Sequence, residues 1–208
     1  KRFLLILVIL TFALCLNWNL ALSNPIVFLE PHGNAPTADS LYIEVLPGES
    51  FSLDLYIQFL ESEYPDSGGL WGEGVKVTFD EDLLRLDNAS YSELFEGPVG
   101  YPKMGENYAD MYGYGKSSEG GYFGDILIGT LDFTAKTPMP MSLALALITT
   151  EDSKPGIPGD FIDWNFNIYD DDIIFLGGKI NVVPISTPIL LLGSGILGLI
   201  GIRRRLGA

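Results

Sequence analysis

The feature that most restricts this chain is a strict alternation from Ser50 to Phe59. Phe51, Leu53, Leu55, Ile57 and Phe59 fall on one side; Ser52, Asp54, Tyr56 and Gln58 fall on the other. A period of two sustained this long describes a strand with one face on a core and one toward water. Val75, Val77 and Phe79 repeat the pattern before Asp80-Glu81-Asp82, and Ile162, Trp164, Phe166 and Ile168 alternate against Asp163, Asn165 and Asn167. Further strands are expected at Leu41–Leu46, Leu84–Leu86, Ile126–Ala135, Leu143–Leu147, Ile173–Leu176 and Lys179–Val183. Pro47-Gly48, Asp87-Asn88, Asp170-Asp171-Asp172 and Gly177-Gly178 supply the turns. One short helix is expected over Tyr91–Phe95.

Eight or nine short one-sided strands can bury their apolar faces only against one another, which predicts an all-β fold, an antiparallel sandwich. Its inner faces should include Phe51, Leu53, Leu55, Ile57, Val75, Val77, Phe79, Leu131, Phe133, Leu145, Trp164 and Phe166. Cys15 is the only cysteine and lies near the N-terminus. The body must therefore be held by its core rather than by disulfides, and cysteine nucleophiles and thiolate zinc sites are excluded from it.

The two ends follow different rules. Lys1-Arg2, the apolar run Phe3–Leu16, and small residues at Ala21 and Ser23 form a secretory signal peptide over residues 1–23. Near the other end, Val182 to Ile202 carries no charge, and Arg203, Arg204 and Arg205 follow at once. As a helix, that run would cover roughly the ~30 Å of a bilayer's hydrocarbon. An arginine cluster stays on the cytoplasmic side. Residues 24–183 are thus an exported body, and 184–208 a single transmembrane helix with its flanks. Every acidic residue lies in that body, while five basic ones sit at the ends, so the body is more acidic than the chain's formal −15. Nucleic acid and anionic headgroups are poor partners for such a surface.

Val183-Pro184, the glycine-dotted Leu190-Leu191-Leu192-Gly193-Ser194-Gly195, Leu197-Gly198-Leu199 and the terminal Arg203-Arg204-Arg205 together resemble a PEP-CTERM sorting signal. Ile185 and Ser186 stand where the family's usual motif has Glu and Pro, and the next proline is Pro188. The resemblance implies an exosortase-type membrane protease as partner in a Gram-negative bacterium that exports polysaccharide. It also implies a route: held at the inner membrane, then passed to the cell surface or extracellular matrix. The body is similar to the cohesin-like branch of immunoglobulin-type sandwiches. The resemblance rests on Pro47-Gly48 leading into Phe51–Leu55, on Phe79-Asp80 before Leu83-Leu84, and on Gly129-Thr130-Leu131-Asp132-Phe133-Thr134-Ala135. Cohesins of that family bind calcium-loaded dockerins.

Residues able to carry chemistry are sparse. His32 is the only histidine, set in a Pro31-His32-Gly33 turn, and the body has no Gly-x-Ser-x-Gly elbow, so a serine triad has little to stand on. Paired carboxylates could serve glycoside hydrolysis, but Glu61, Glu63, Asp66 and Glu73 read first as a solvated acidic loop. Asp170, Asp171 and Asp172 could hold calcium or simply turn the chain. Gly97–Gly124 reads as a long connection with eight glycines and six aromatics, Tyr101, Tyr108, Tyr112, Tyr114, Tyr122 and Phe123. Tyrosines on such a loop suit sugar rings, with Tyr108, Tyr112 and Tyr114 as the ligand-binding candidates; an Ω-loop packed by its own aromatics, or a short extra hairpin, is the other reading. The expectation is a non-catalytic structural or adhesive protein of the surface or matrix, requiring no cofactor, with exopolysaccharide as a second partner. A carbohydrate-binding module is its first rival and a glycosidase its second.

Overall fold

The computed structural model describes residues 24–118, 120–139, 142–153, 161–169 and 172–184. The expected signal peptide, the transmembrane run, Arg203–Arg205, Asp170 and Asp171 lie outside the described residues. In chain order the strands are β1 (Ile26–Pro31), β2 (Leu41–Val45), β3 (Ser50–Phe59), β4 (Leu70–Phe79), β5 (Leu84–Tyr91), β6 (Phe95–Glu96) and β7 (Lys103–Met104). They continue as β8 (Tyr108–Gly115), β9 (Gly124–Ala135), β10 (Ala144–Asp152), β11 (Ile162–Asp163), β12 (Ile174–Phe175) and β13 (Gly178–Val182).

Two sheets face each other. The small sheet has five strands in the order β12-β1-β3-β9-β5, and the large sheet runs β2-β13-β10-β4-β8-β6, with β11 on β4 and β7 on β8. The alternating strand β3 sits at the centre of the small sheet, paired along its whole length with β9. Leu53, Leu55, Ile57 and Phe59 of β3 are wholly buried, facing Val75 and Val77 of β4 and Met111 of β8 in one continuous core. A bulge in β9 leaves Ile128 between the residues opposite Leu55 and Tyr56, so that Ile128 and Leu131 both stay inside.

Two pairings are parallel rather than antiparallel. β1 runs alongside β12, and β2 alongside β13. The chain crosses from one sheet to the other between β1 and β2, and again between β12 and β13. β12 and β2 are thus edge strands of their sheets, each running parallel to the neighbour it covers. β1 has no alternation because four of its six residues, Val27 to Glu30, are buried; it reads as a four-residue apolar run, Ile26 to Leu29, closed by Glu30-Pro31.

Several expectations are corrected by packing. Tyr91–Phe95 is no helix: Tyr91 ends β5, Ser92 Oγ accepts from Leu94 N in a turn, and Phe95 begins β6. Leu145 is 47% and Phe166 73% exposed, while Phe51 and Trp164 are half-buried; the other eight expected core residues are inside. On β10 the inward residues are Ala146 and Ile148, which puts the leucines on the outside. The Gly97–Gly124 segment is not one loop either. It contains β7 and β8, and β8 pairs with β4 over seven residues.

Candidate binding face

β8 explains the tyrosines. Ala109 and Met111 point into the core, and Tyr108, Asp110, Tyr112 and Tyr114 occupy the alternate positions on the outer face, opposite Thr78, Lys76, Gly74 and Gly72 of β4. The three candidate tyrosines thus share a face but meet different neighbours. Lys76 Nζ sits 5.6 Å from the Tyr108 ring centroid. Tyr112 packs against Tyr101 at 5.7 Å between centroids. Tyr114, 38% exposed, stacks on Trp71 at 6.0 Å. They do not converge on one ligand position.

The far edge of β8 is completed by Tyr91. Its hydroxyl donates to Tyr112 O at 2.8 Å and accepts from Tyr112 N at 3.1 Å, standing in for a ladder residue between β7 and β6. Burial first, and the Glu73 carboxylate second, push the Tyr91 hydroxyl's pKa up, so it remains a donor. Glu73 is itself fully buried on β4 and is no part of a solvated acidic loop. The segment returns to β4 where Gly121 lies backbone to backbone against Gly69 (φ +91), a contact that leaves no room for a Cβ.

The other half of the outer face mixes exposed apolar side chains with polar ones. Tyr42 of β2 lies opposite Lys179 of β13, which lies opposite Leu147 of β10; Glu44, Asn181 and Leu145 form the next row. Tyr42, Leu145 and Leu147 are 59%, 47% and 57% exposed. Asn181 Nδ2 reaches Tyr42 Oη and Glu44 Oε1, both at 3.4 Å. Toward β4 the face becomes polar, with Thr78 and Thr149 hydroxyls in contact and Lys76 paired with Glu151 at 3.5 Å. A solvated sheet face usually carries polar residues; the exposed leucines of β10 depart from that.

The single histidine does not build a triad. His32 Nδ1 meets Asp54 Oδ1 at 2.8 Å and Oδ2 at 3.0 Å, and the Thr130 hydroxyl donates to Asp54 Oδ1 rather than to the ring. The hydrogen bond to Asp54, aided by its charge, raises the His32 pKa. Asp172 N donates to Tyr169 O, as expected of a turn. Among the described residues no group of three or more His, Cys, Asp or Glu side chains is placed to hold a metal ion. Val183 N donates to Val45 O at 2.9 Å, one residue beyond β13, and Pro184 follows.

The paired sheets, their order and their parallel closing strands define a sandwich of the cohesin type. The chain is similar to the crystal structure of the Coh-OlpA-Doc918 type I cohesin–dockerin complex from Clostridium thermocellum, with a TM-score of 0.53 at 11% identity over 77% of this chain and 100% of that one. The Coh-OlpC-Doc435 complex of the same organism matches with a TM-score of 0.53 at 12% identity over 79% and 99%. The seventh ScaB type I cohesin from Pseudobacteroides cellulosolvens gives 0.53 at 13% over 78% and 94%. Identities this low speak for the fold alone. No protein-family model and no curated protein matches the sequence.

Proposed function

We propose that this chain is an exported, non-catalytic adhesion or scaffold module that holds a protein partner on the outer face of its large sheet. The observation that carries the reading is the exposure of Leu145 and Leu147 on β10, with Tyr42 exposed on the same face across Lys179. Both leucines are about half exposed, which forgoes part of the roughly 1.5–3 kcal/mol that full burial gives, and exposed leucines in a row along one strand are what a docking partner covers. The fold adds weight, since two of the similar structures are complexes of a cohesin with a dockerin. The apolar, uncharged run after Val182 and the arginines beyond it belong to the same reading: a membrane hold, released by an exosortase-type protease acting near Val183-Pro184. In support, the last sheet bond among the described residues is made by Val183, so a cut beyond it would leave the described sandwich whole.

Two experiments test this. Leu145→Asp and Leu147→Asp should each leave thermal unfolding nearly unchanged and reduce retention in the surface or matrix fraction by about tenfold, the effect of losing ~1.4 kcal/mol. Full retention by the folded double variant would remove the docking face. For the tail, intact-mass analysis of released protein should find no residues from Ile189 onward; a released product retaining them would end the sorting reading.

A further inference from the structure

At the opposite end of the large sheet stands a second surface whose construction is not explained by folding. It begins with Phe166. Its φ is +65, a left-handed backbone that bulky L residues avoid, and its ring is 73% exposed. Glycine or asparagine would suit that backbone better, and a polar side chain would suit that exposure better. The position is nevertheless firmly imposed. Asp163 is fully buried, and its Oδ1 accepts from Asn165 N and Asn167 N, both at 2.8 Å. Its Oδ2 accepts from Asn167 Nδ2 at 2.7 Å and from the Tyr169 hydroxyl at 2.9 Å. Phe166 N donates to Asp163 O, and Asn165 Nδ2 ties the loop to Asp66 O at 2.5 Å. A conformation this unfavourable, held by this many bonds, is the pattern of strain kept for a purpose.

What the loop presents Phe166 to is an aromatic cluster drawn from separate parts of the chain. Trp71 of β4 is its centre: the Phe166 ring lies 5.9 Å away at 62°, Trp164 6.3 Å away at 80°, and Tyr114 of β8 6.0 Å away at 30°. Tyr114 and Phe166 are the exposed members. Gly72, opposite Tyr114 on the same face, has no side chain to cover the gap toward Ile162, and a Cβ there would make only ordinary contacts. Packing therefore does not require the glycine. Asn165 and Asn167, on either side of Phe166 in the same loop, are exposed.

We infer that Trp71, Tyr114 and Phe166 form a binding site for a neutral polysaccharide. A sugar ring offers an apolar C–H face that stacks on an aromatic ring and hydroxyls that reach polar groups at the rim. The rings of Tyr114 and Phe166 lie 6.0 and 5.9 Å from that of Trp71, which offers a sugar chain more than one aromatic face to meet. The chain's net charge of −15 disfavours an acidic polymer. The exposed cluster is also small beside the ~800 Å² per partner of a stable protein interface. This site does not depend on the leucine strip: β8 pairs Tyr114 with Gly72, β10 pairs Ile148 with Phe79, and seven residues of β4, roughly 24 Å, separate them.

The test titrates the full-length chain in detergent with neutral gluco-, galacto- and manno-oligosaccharides, with oligogalacturonate as the acidic control, read by calorimetry and tryptophan fluorescence. At least one neutral oligosaccharide should bind more tightly than oligogalacturonate. Phe166→Asn and Tyr114→Ala should each weaken that binding about tenfold or more, whereas Leu145→Asp should not. Phe166→Asn should also unfold at no lower a temperature than the parent, because asparagine accepts the left-handed backbone. The assignment is overturned if no neutral oligosaccharide binds at millimolar concentration, if both variants bind like the parent, or if oligogalacturonate binds better. It is equally overturned if Phe166→Asn destabilises like the loss of a core aromatic, or if the cluster variants lose a matrix protein while no sugar binds.

Discussion

His32 and Asp54 form a latch between the turn after β1 and the middle of β3. Asp54 is 3% exposed and would be costly to leave alone there; Thr130 and His32 both serve it. The folded-state pKa of His32 lies above its ordinary value of 6.5. Protonated His32 therefore stabilises the fold fully below about pH 6.5, and that contribution fades as pH rises through the raised folded value. The melting-temperature difference between the parent and His32→Gln should accordingly be largest in mild acid and shrink in alkali. A difference that stays constant across that range would show that the ring contributes only through packing. Because His32 is the only histidine, its proton resonance can be followed without assignment. The alternation legible in Ser50–Phe59 put Asp54 on the solvent side, and no local signal told that its hydroxyl and imidazole partners lay elsewhere in the chain.

Elements were legible where inward residues were large. β3 and the Val75–Phe79 half of β4 stood out because leucine, valine and phenylalanine alternate with polar residues. β8 did not, because its inward positions hold Ala109, Met111 and Gly113 while its outward ones hold tyrosines; its contrast is inverted, and its glycines suggest a loop. β10 failed differently. Ala144 to Ile148 is apolar at every position, so the pattern has a period but no phase, and only packing decides that Ala146 and Ile148 go in. The loop of Asp163 shows a third cause: Trp164 and Phe166 alternate like a strand, but a buried carboxylate binding two backbone amides forces a turn there. A direct consequence concerns β8. It lies between β4 and β6, with β7 also pairing along it, so its amides should exchange nearly as slowly as those of β3. Rapid exchange over Tyr108–Gly115 would mean that the pairing does not persist in solution.

At the scale of the molecule, the sandwich class was readable from strand count and turn residues, while the parallel closure was not. That closure depends on which sheet each terminal strand joins, a long-range matter with no local signature. It makes the last strand indispensable. β13 buries Ile180 and Val182 completely and occupies the position between β2 and β10. Removing two such side chains costs roughly 2–5 kcal/mol each, against a total stability of about 5–15 kcal/mol, and strips the partners from two strands besides. A chain ended after Leu176 should therefore show no cooperative thermal transition by circular dichroism, whereas one ended after Pro184 should melt like the parent. Equal melting of the two would mean that β13 is only an appendage.

The same strand also decides how the molecule bears a pull. If the body is held through whatever follows Pro184, tension enters at Val183 and runs lengthwise along β13. The bonds to β2 on one side and β10 on the other lie across that direction, five register pairs on each. They are then strained together as a lap joint is, rather than opened singly like a zip. A matrix component moored at one end and gripped by its partners on the outer face would meet drag in its strongest orientation.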